Sequence, residues 1–139
     1  MDIAVMTIGD YDQVSALWAK SEGVGLDPDD TKEKIGQYIE RNPGLSFVAR
    51  DDGKLVGAVL CGHDGRRGYL HHLAVDHDHR RKGIGKALVA ECIAGLKAAG
   101  IPKCNIFVFD ENDPALAFWE ADGWNGRSDL RLLQKWTSQ

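Results

Sequence analysis

The stretch from Tyr69 to Ala87, YLHHLAVDHDHRRKGIGKA, constrains this chain most, because it dictates a strand, a basic glycine-containing loop and a helix in immediate succession. Tyr69 to Val75 has the length and the aromatic and branched content of a strand. Gly83 opens a run in which Ile84, Ala87, Leu88, Val89, Cys92, Ile93 and Leu96 recur at the spacing of a helix face. The glycines therefore stand at a helix N-terminus, where the first backbone N–H groups lack partners and the aligned peptide dipoles favour negative charge. Glycine lets a phosphate come close to the backbone, and Arg80, Arg81, Lys82 and Lys86 place four cations around the same turn. A phosphorylated ligand is the expected occupant.

Two common phosphate motifs fail here. A Walker loop ends in Gly-Lys-Ser/Thr, whereas Gly85-Lys86 is followed by Ala87, which has no hydroxyl for magnesium. A dinucleotide fingerprint starting at Gly83 would need a glycine where Leu88 stands. With 139 residues and no apolar run of membrane-spanning length, the chain reads as one domain, residues 1–139. Its N-terminus has neither a basic leader nor a long apolar core, which predicts a cytoplasmic location. Cys61, Cys92 and Cys104 are widely spaced without Cys-x-x-Cys and read as buried free thiols. A net charge of −4 argues against a general nucleic-acid binder and leaves room for a cationic substrate.

Around the central stretch the chain alternates helix and strand signals. Ile3 to Met6 predicts a first strand, Thr7 the cap of a helix carrying Tyr11, Val14, Leu17 and Trp18, and Asp29, Asp30 and Thr31 the start of a second helix with Ile35, Tyr38 and Ile39. The aspartates at 27, 29 and 30 are read as helix-start residues, with attraction of an amine as the other reading. Leu45 to Arg50 and Lys54 to Cys61 flank the turn Asp51-Asp52-Gly53 as a hairpin, and the Gly62 to Gly68 turn leads into the motif strand. After the motif helix, Cys104 to Phe109 predicts a parallel strand reached by a helical crossover. Pro114 to Ala121 reads as a helix capped by Asp113, and Trp124 to Ser128 and Leu130 to Trp136 as two terminal strands.

Arg80-x-x-Gly83-x-Gly85 after a strand resembles the pyrophosphate motif of the acetyl-CoA-dependent N-acetyltransferase (GNAT) superfamily. Leu73-Ala74-Val75 before the loop and Asn112-x-x-Ala115-x-x-Phe118-Trp119-x-x-x-Gly123-Trp124 after it resemble two further family segments. The length and the Gly62-x-Asp64-Gly65-x-Arg67-Gly68 turn are most similar to small stand-alone bacterial acetyltransferases of the YpeA type. The resemblance implies an α/β (α+β) GNAT fold with a mixed, mostly antiparallel sheet of about six to seven strands and four flanking helices.

The same resemblance implies acetyl transfer from acetyl-CoA, as cosubstrate, to a primary amine by direct attack. The backbone N–H groups of Arg81, Lys82, Gly83, Ile84, Gly85 and Lys86 would hold the pyrophosphate, and Arg80 would help neutralise it. Leu73, Ala74 and Val75 would lie along the pantetheine where the motif strand and the next parallel strand splay apart, and Asn112 and Phe118 would touch the cofactor. For these last two, helix capping and core packing are the alternatives.

Strict alternation puts Tyr69, His71, Leu73 and Val75 on one face and Leu70, His72 and Ala74 on the other. By resemblance to arylalkylamine acetyltransferases, His71 is the candidate base that takes the amine's proton. Trp119 stands where the family commonly has a tyrosine acid, which leaves Tyr69 or solvent to protonate the departing thiolate. It also leaves open a second class of function, a CoA-binding module or sensor without catalysis. His71, His72, His77 and His79 match no zinc spacing and adjoin a basic loop, so no metal is expected. The expected partners are acetyl-CoA and an amine acceptor, without nucleic acid or membrane, and a homodimer is allowed.

Overall fold

Tight turns and caps divide the chain as the residue types demand. The computed structural model describes residues 1–138 and orders them as β1 (Asp2–Val5), a 3-10 turn (Ile8–Asp10), α1 (Tyr11–Ala19), α2 (Lys32–Arg41), β2 (Phe47–Asp51) and β3 (Lys54–His63). There follow β4 (Gly68–Val75), a second 3-10 turn (His77–His79), α3 (Ile84–Ala98), β5 (Cys104–Ile106) and α4 (Asp113–Ala121). The β2–β3 hairpin closes with Asp51 opposite Lys54 and with φ of 49° at Asp52 and 80° at Gly53. Two left-handed residues in a two-residue loop match the twist of the strands, and Asp-Gly is suited to them. Thr31 caps α2, its Oγ1 accepting the Lys34 N–H at 3.2 Å.

The five strands form one sheet in the order β1-β2-β3-β4-β5, antiparallel except for the β4–β5 step, which is parallel across α3. One face receives α1 and α2: Val14, Leu17, Trp18 and Ile35 pack with Val48, Ala58, Leu60 and Ala74 in a single cluster. The other face receives α3, which buries Ile84, Leu88, Val89, Cys92 and Leu96. Two glycines set the distance of approach. A Cβ at Gly57 would lie 3.0 Å from Leu88 Cδ1 and 3.1 Å from Ile84 Cγ2, and one at Gly68 would lie 2.6 Å from Leu96 Cδ1. Each buried leucine or valine stabilises this arrangement by about 1.5–3 kcal/mol relative to exposure.

The four helices and the mixed, mostly antiparallel sheet agree with expectation, but the strand count among the described residues is five. Trp124 to Ser128 and Leu130 to Trp136 form no strand, and Ser128 lies in a turn. Leu130, Leu132, Leu133 and Trp136 are exposed, and the adjacent Leu132 and Leu133 break the alternation. With no buried face, nothing sets a strand register there.

The chain divides into two compact units, Met1–Phe109 and Asp110–Gln139. In the second unit α4 is capped by Asn112, not by Asp113, which lies within the helix: Asn112 Oδ1 accepts the Ala115 N–H at 3.3 Å. The helix ends at Gly123, φ 93°, where the Gly123 and Trp124 N–H groups donate to Glu120 and Trp119 carbonyls. No helix among the described residues is long and apolar enough to cross a membrane.

Candidate active site

The motif strand is longer than its outer neighbour. β4 pairs with β5 at Gly68, Tyr69 and Leu70, so from His71 to Val75 it has no partner on the β5 side among the described residues. Leu73, Ala74 and Val75 are thereby placed at an open strand edge, where another extended chain can hydrogen-bond to the backbone. The splay follows from the brevity of β5, which stops at Ile106 and leaves Phe107 and Phe109 exposed.

At the end of this edge the chain turns into α3. Asp76 holds the turn: it is buried, its N–H donates to the Val56 carbonyl at 2.7 Å, and its Oδ1 accepts the Asp78 N–H at 3.0 Å. Lys20 and Lys54 each approach Asp76 Oδ2 at 3.4 Å. The Asp78 hydrogen bond foremost, with the two lysines, brings the Asp76 carboxyl down to about 2. Asp76 is thus the root of the loop, a role that sequence reading missed because an aspartate in a turn carries no signal of its burial.

The cradle itself is open. Arg80, Arg81, Lys82, Gly83 and Lys86 are exposed, and Gly83 caps α3 in the left-handed region at φ 78°. Arg81 is also left-handed, φ 65°. Arg80 reaches back, its Nε donating to the Val75 carbonyl at 3.2 Å, which fixes one cation at the junction of strand and loop. Arg81, Lys82 and Lys86 make no ion pair among the described residues. The Ile84 side chain is buried against Gly57, so this residue offers the cradle its backbone N–H alone. Gly85 and Lys86 follow it in the first turn of α3, where N–H groups have no helical acceptor.

The histidines do not alternate as expected. Ala58 pairs with Ala74 and Leu60 with His71, so two residues of β4, His72 and Leu73, stand against Val59 alone. This is a β-bulge, with His72 at φ 55°. Cross-strand partners share a face, so His71 and Ala74 both lie on the α1–α2 face, whereas Val75, opposite Gly57, lies towards α3. The His72 ring joins them, 5.1 Å from the Trp18 ring and 6.4 Å from that of His71. Both histidines therefore share one face, and the separation of His72 and Ala74 from His71 is corrected.

His71 is boxed by aromatic rings: Tyr69 at 6.3 Å and nearly parallel, Tyr38 at 6.2 Å, and Phe107 at 6.4 Å. Burial, and then the charge of His72, lowers its basicity against a weaker opposing pull from Asp30. His72 has a different setting. Its Nε2 lies 2.9 Å from Asp30 Oδ2, and its carbonyl accepts the Trp18 Nε1–H at 2.8 Å. Asp30 Oδ2 also accepts the Asp27 N–H at 2.9 Å, and Tyr11 Oη–H donates to the Asp30 carbonyl at 2.8 Å. Of the residues offered for the start of α2, Thr31 takes the cap, and the Asp30 side chain just before it is turned to His72 and the Asp27 N–H.

Of the remaining sequence candidates, Asn112 spends its side-chain oxygen on the cap of α4. Phe118 is half-buried, edge-on to Trp119 at 5.0 Å. Trp119 is buried and packs on Trp124 at 4.9 Å. Among the described residues no group of three or more His, Cys, Asp or Glu side chains could hold a metal ion.

Comparison with known proteins agrees with this geometry. The sequence profile of the acetyltransferase (GNAT) family matches residues 11–124. An acetyltransferase of Sodalis glossinidius is 32% identical over 136 residues, covering 97% of this chain and 94% of the relative. An acetyltransferase of Yersinia pestis is 34% identical over 133 residues, covering 95% and 93%. Among solved structures, the PaiA N-acetyltransferase of Thermoplasma acidophilum in complex with coenzyme A is similar in fold, with a TM-score of 0.77, 21% identity and 89% coverage of both chains. So is AAC(6')-Iy in complex with a bisubstrate analogue, CoA-S-monomethyl-acetylneamine, with a TM-score of 0.79, 21% identity and coverage of 96% and 97%. The chain belongs to the acetyltransferase (GNAT) family.

Proposed function

We propose that this acetyltransferase moves an acetyl group from acetyl-CoA to a primary amine, whether a small molecule, a peptide N-terminus or a lysine, by direct attack in a ternary complex. The observation that carries this reading is the continuous surface formed by the unpaired edge of β4 and the N-terminus of α3. The pantetheine arm adds to the edge at Leu73, Ala74 and Val75. The pyrophosphate meets the N–H groups from Arg81 to Lys86, with Arg80 fixed beside them.

A carbonyl lying against the β4 edge would find a backbone N–H placed before the reaction begins, which stabilises the oxyanion without reorganisation. The acceptor approaches from the α1–α2 face, where His71 and His72 lie with Tyr69 beside them, and one of the two imidazoles takes its proton. Tyr69 or solvent returns a proton to the CoA thiolate, since the Trp119 indole has no exchangeable acid for that purpose. The family match runs across both compact units, which supports reading residues 1–139 as one acetyltransferase domain.

The test is release of CoA from acetyl-CoA with 2-phenylethylamine, spermidine and a peptide with a free N-terminal alanine. Amine-dependent release is expected. Binding of acetyl-CoA without release on any amine would instead favour a CoA-binding module.

A further inference from the structure

We propose that His72, oriented by Asp30, is the group that takes the proton of the acceptor amine, and that His71 is a wall of the acceptor site. The inference rests on the acetyl-transfer reading above and assigns the base within it. Three observations on separate elements carry it.

The backbone at His72 is strained and held. A non-glycine residue at φ 55° is strained and persists where its surroundings over-determine it. Here the Trp18 indole, itself buried on α1, donates to the His72 carbonyl, and the bulge turns the imidazole onto the face of α1 and α2. Without the bulge, the same side chain would point to the other face of the sheet.

The ring is then oriented by a carboxylate. Asp30 reaches His72 Nε2 at 2.9 Å from the loop before α2 and is itself fixed by the Asp27 N–H and, through its carbonyl, by Tyr11. With Nε2–H donated to Asp30, the lone pair is on Nδ1, which has no hydrogen-bond partner among the described residues and is not fully buried. A nitrogen able to accept a proton is therefore left free. The titratable groups around the ring are Asp30 from the loop, His71 on the same strand, Tyr11 on α1 and, beyond His71, Tyr38 on α2. Only Asp30 is bonded to the imidazole.

His71 lacks each of these features. No carboxylate orients it, its side chain makes no hydrogen bond among the described residues, and three aromatic rings enclose it. Such a box suits the apolar body of an acceptor better than transfer of its proton.

In balance, the ammonium first gives one proton to His72 Nδ1, leaving a neutral amine and an imidazolium next to the Asp30 carboxylate. The nitrogen lone pair attacks the thioester carbon, a C–N bond forms, the C–S bond breaks, and CoA leaves as thiolate. The second nitrogen proton passes through water to that thiolate, and His72 returns its own proton to solvent.

The test uses His72→Asn, because asparagine tolerates left-handed backbone and removes only the base. CoA release is measured with the three amines named above from about pH 6 to pH 10, alongside His71→Asn, Asp30→Asn and Asp30→Glu. His72→Asn is expected to lower kcat about a hundredfold near neutral pH with the KM for acetyl-CoA unchanged, and to close on the parent as alkali deprotonates the amine. Asp30→Asn is expected to lose about tenfold with the same alkaline recovery, and Asp30→Glu to restore part of it. Imidazole nitrogen NMR of the unliganded protein should show His72 with its proton on Nε2, lost as a fixed tautomer in Asp30→Asn. Turnover by His72→Asn equal to the parent across the range overturns the assignment while leaving acetyl transfer standing. A pH-dependent deficit confined to His71→Asn, or a proton on His72 Nδ1, does the same. Failure of the parent to release CoA with every probe sinks the transfer reading and this inference together.

Discussion

Gly83 offers the sharpest separation between holding the fold and holding the cofactor. Its φ of 78° lies in the left-handed region, yet a Cβ built there would have no atom within 4 Å beyond its own chain neighbours. Gly83→Ala therefore adds strain but no clash, a cost of about 1–2 kcal/mol. At an unfolding entropy of about 2.1 cal/mol/K per residue, that cost lowers the melting temperature of a 139-residue chain by about 3–7 °C. Acetyl-CoA at a hundred times its dissociation constant stabilises the parent by about 2.7 kcal/mol, a rise of about 9 °C. If the pyrophosphate sits on the N–H groups of this turn as proposed, a methyl group added at the N-cap should keep the phosphate at a distance. Affinity weakened tenfold leaves about 1.4 kcal/mol of that stabilisation at the same ligand concentration, about 5 °C. Melting curves of parent and variant with and without acetyl-CoA separate the two effects. A lowered melting temperature with an undiminished ligand shift would mean that the pyrophosphate binds elsewhere, and a parent with no shift would refute the cradle altogether.

Gly68→Ala should behave in the opposite way, since its Cβ would lie 2.6 Å from Leu96 Cδ1, well away from the loop. A loss of about 1–3 kcal/mol from overpacking is expected in thermal unfolding, with the acetyl-CoA shift intact; an unchanged melting temperature would show that Leu96 swings aside at no cost. Asp76, with its carboxyl brought to about 2, contributes stability that is full above the ordinary carboxylate range and is lost as pH falls through about 2. The gap in melting temperature between parent and Asp76→Asn should therefore be constant from neutral pH down to about 4 and narrow below it, and parallel curves would refute the role.

The order of elements was legible because it rests on local signals. Asp52-Gly53, Gly83 and Gly100 are each at positive φ where the sequence predicts a turn, a helix start or a helix stop. The apolar residues of the motif helix likewise fall on one buried face. What alternation could not reveal is the bulge at His72, because a bulge is set by the register of β3 against β4, and neither strand carries it in its own residue pattern. From that single slip follow the shared face of the two histidines and the position of His72 against Asp30. The terminal strands failed for a related reason. Alternating leucines propose a strand, but pairing and a buried face make one, and Leu130 and Leu132 have neither. Asp76 was hidden because partners that hold it, Lys20, Lys54 and the Val56 carbonyl, are remote in sequence.

The two strained residues of the motif stretch differ in what offsets them. His72 is held at φ 55° by Trp18 and Asp30, partners that are present in the free protein. Arg81, at φ 65°, is exposed and has no side-chain hydrogen bond or ion pair among the described residues. Its strain, on the order of 1 kcal/mol, is uncompensated until an anion occupies the cradle. Arg81→Gly should thus stabilise the free protein by up to about 1 kcal/mol, since glycine adopts this backbone without penalty. The same change removes one cation from the proposed pyrophosphate site and frees the loop, so acetyl-CoA should bind more weakly, with a shallower dependence on salt. Arg81→Lys separates the two contributions, because it keeps the charge and the strain while losing the planar guanidinium. Melting temperatures and acetyl-CoA titrations at low and high salt decide the matter. If Arg81→Gly melts below the parent, the left-handed arginine is sustained by contacts of the free loop, and the strain has no part in ligand binding.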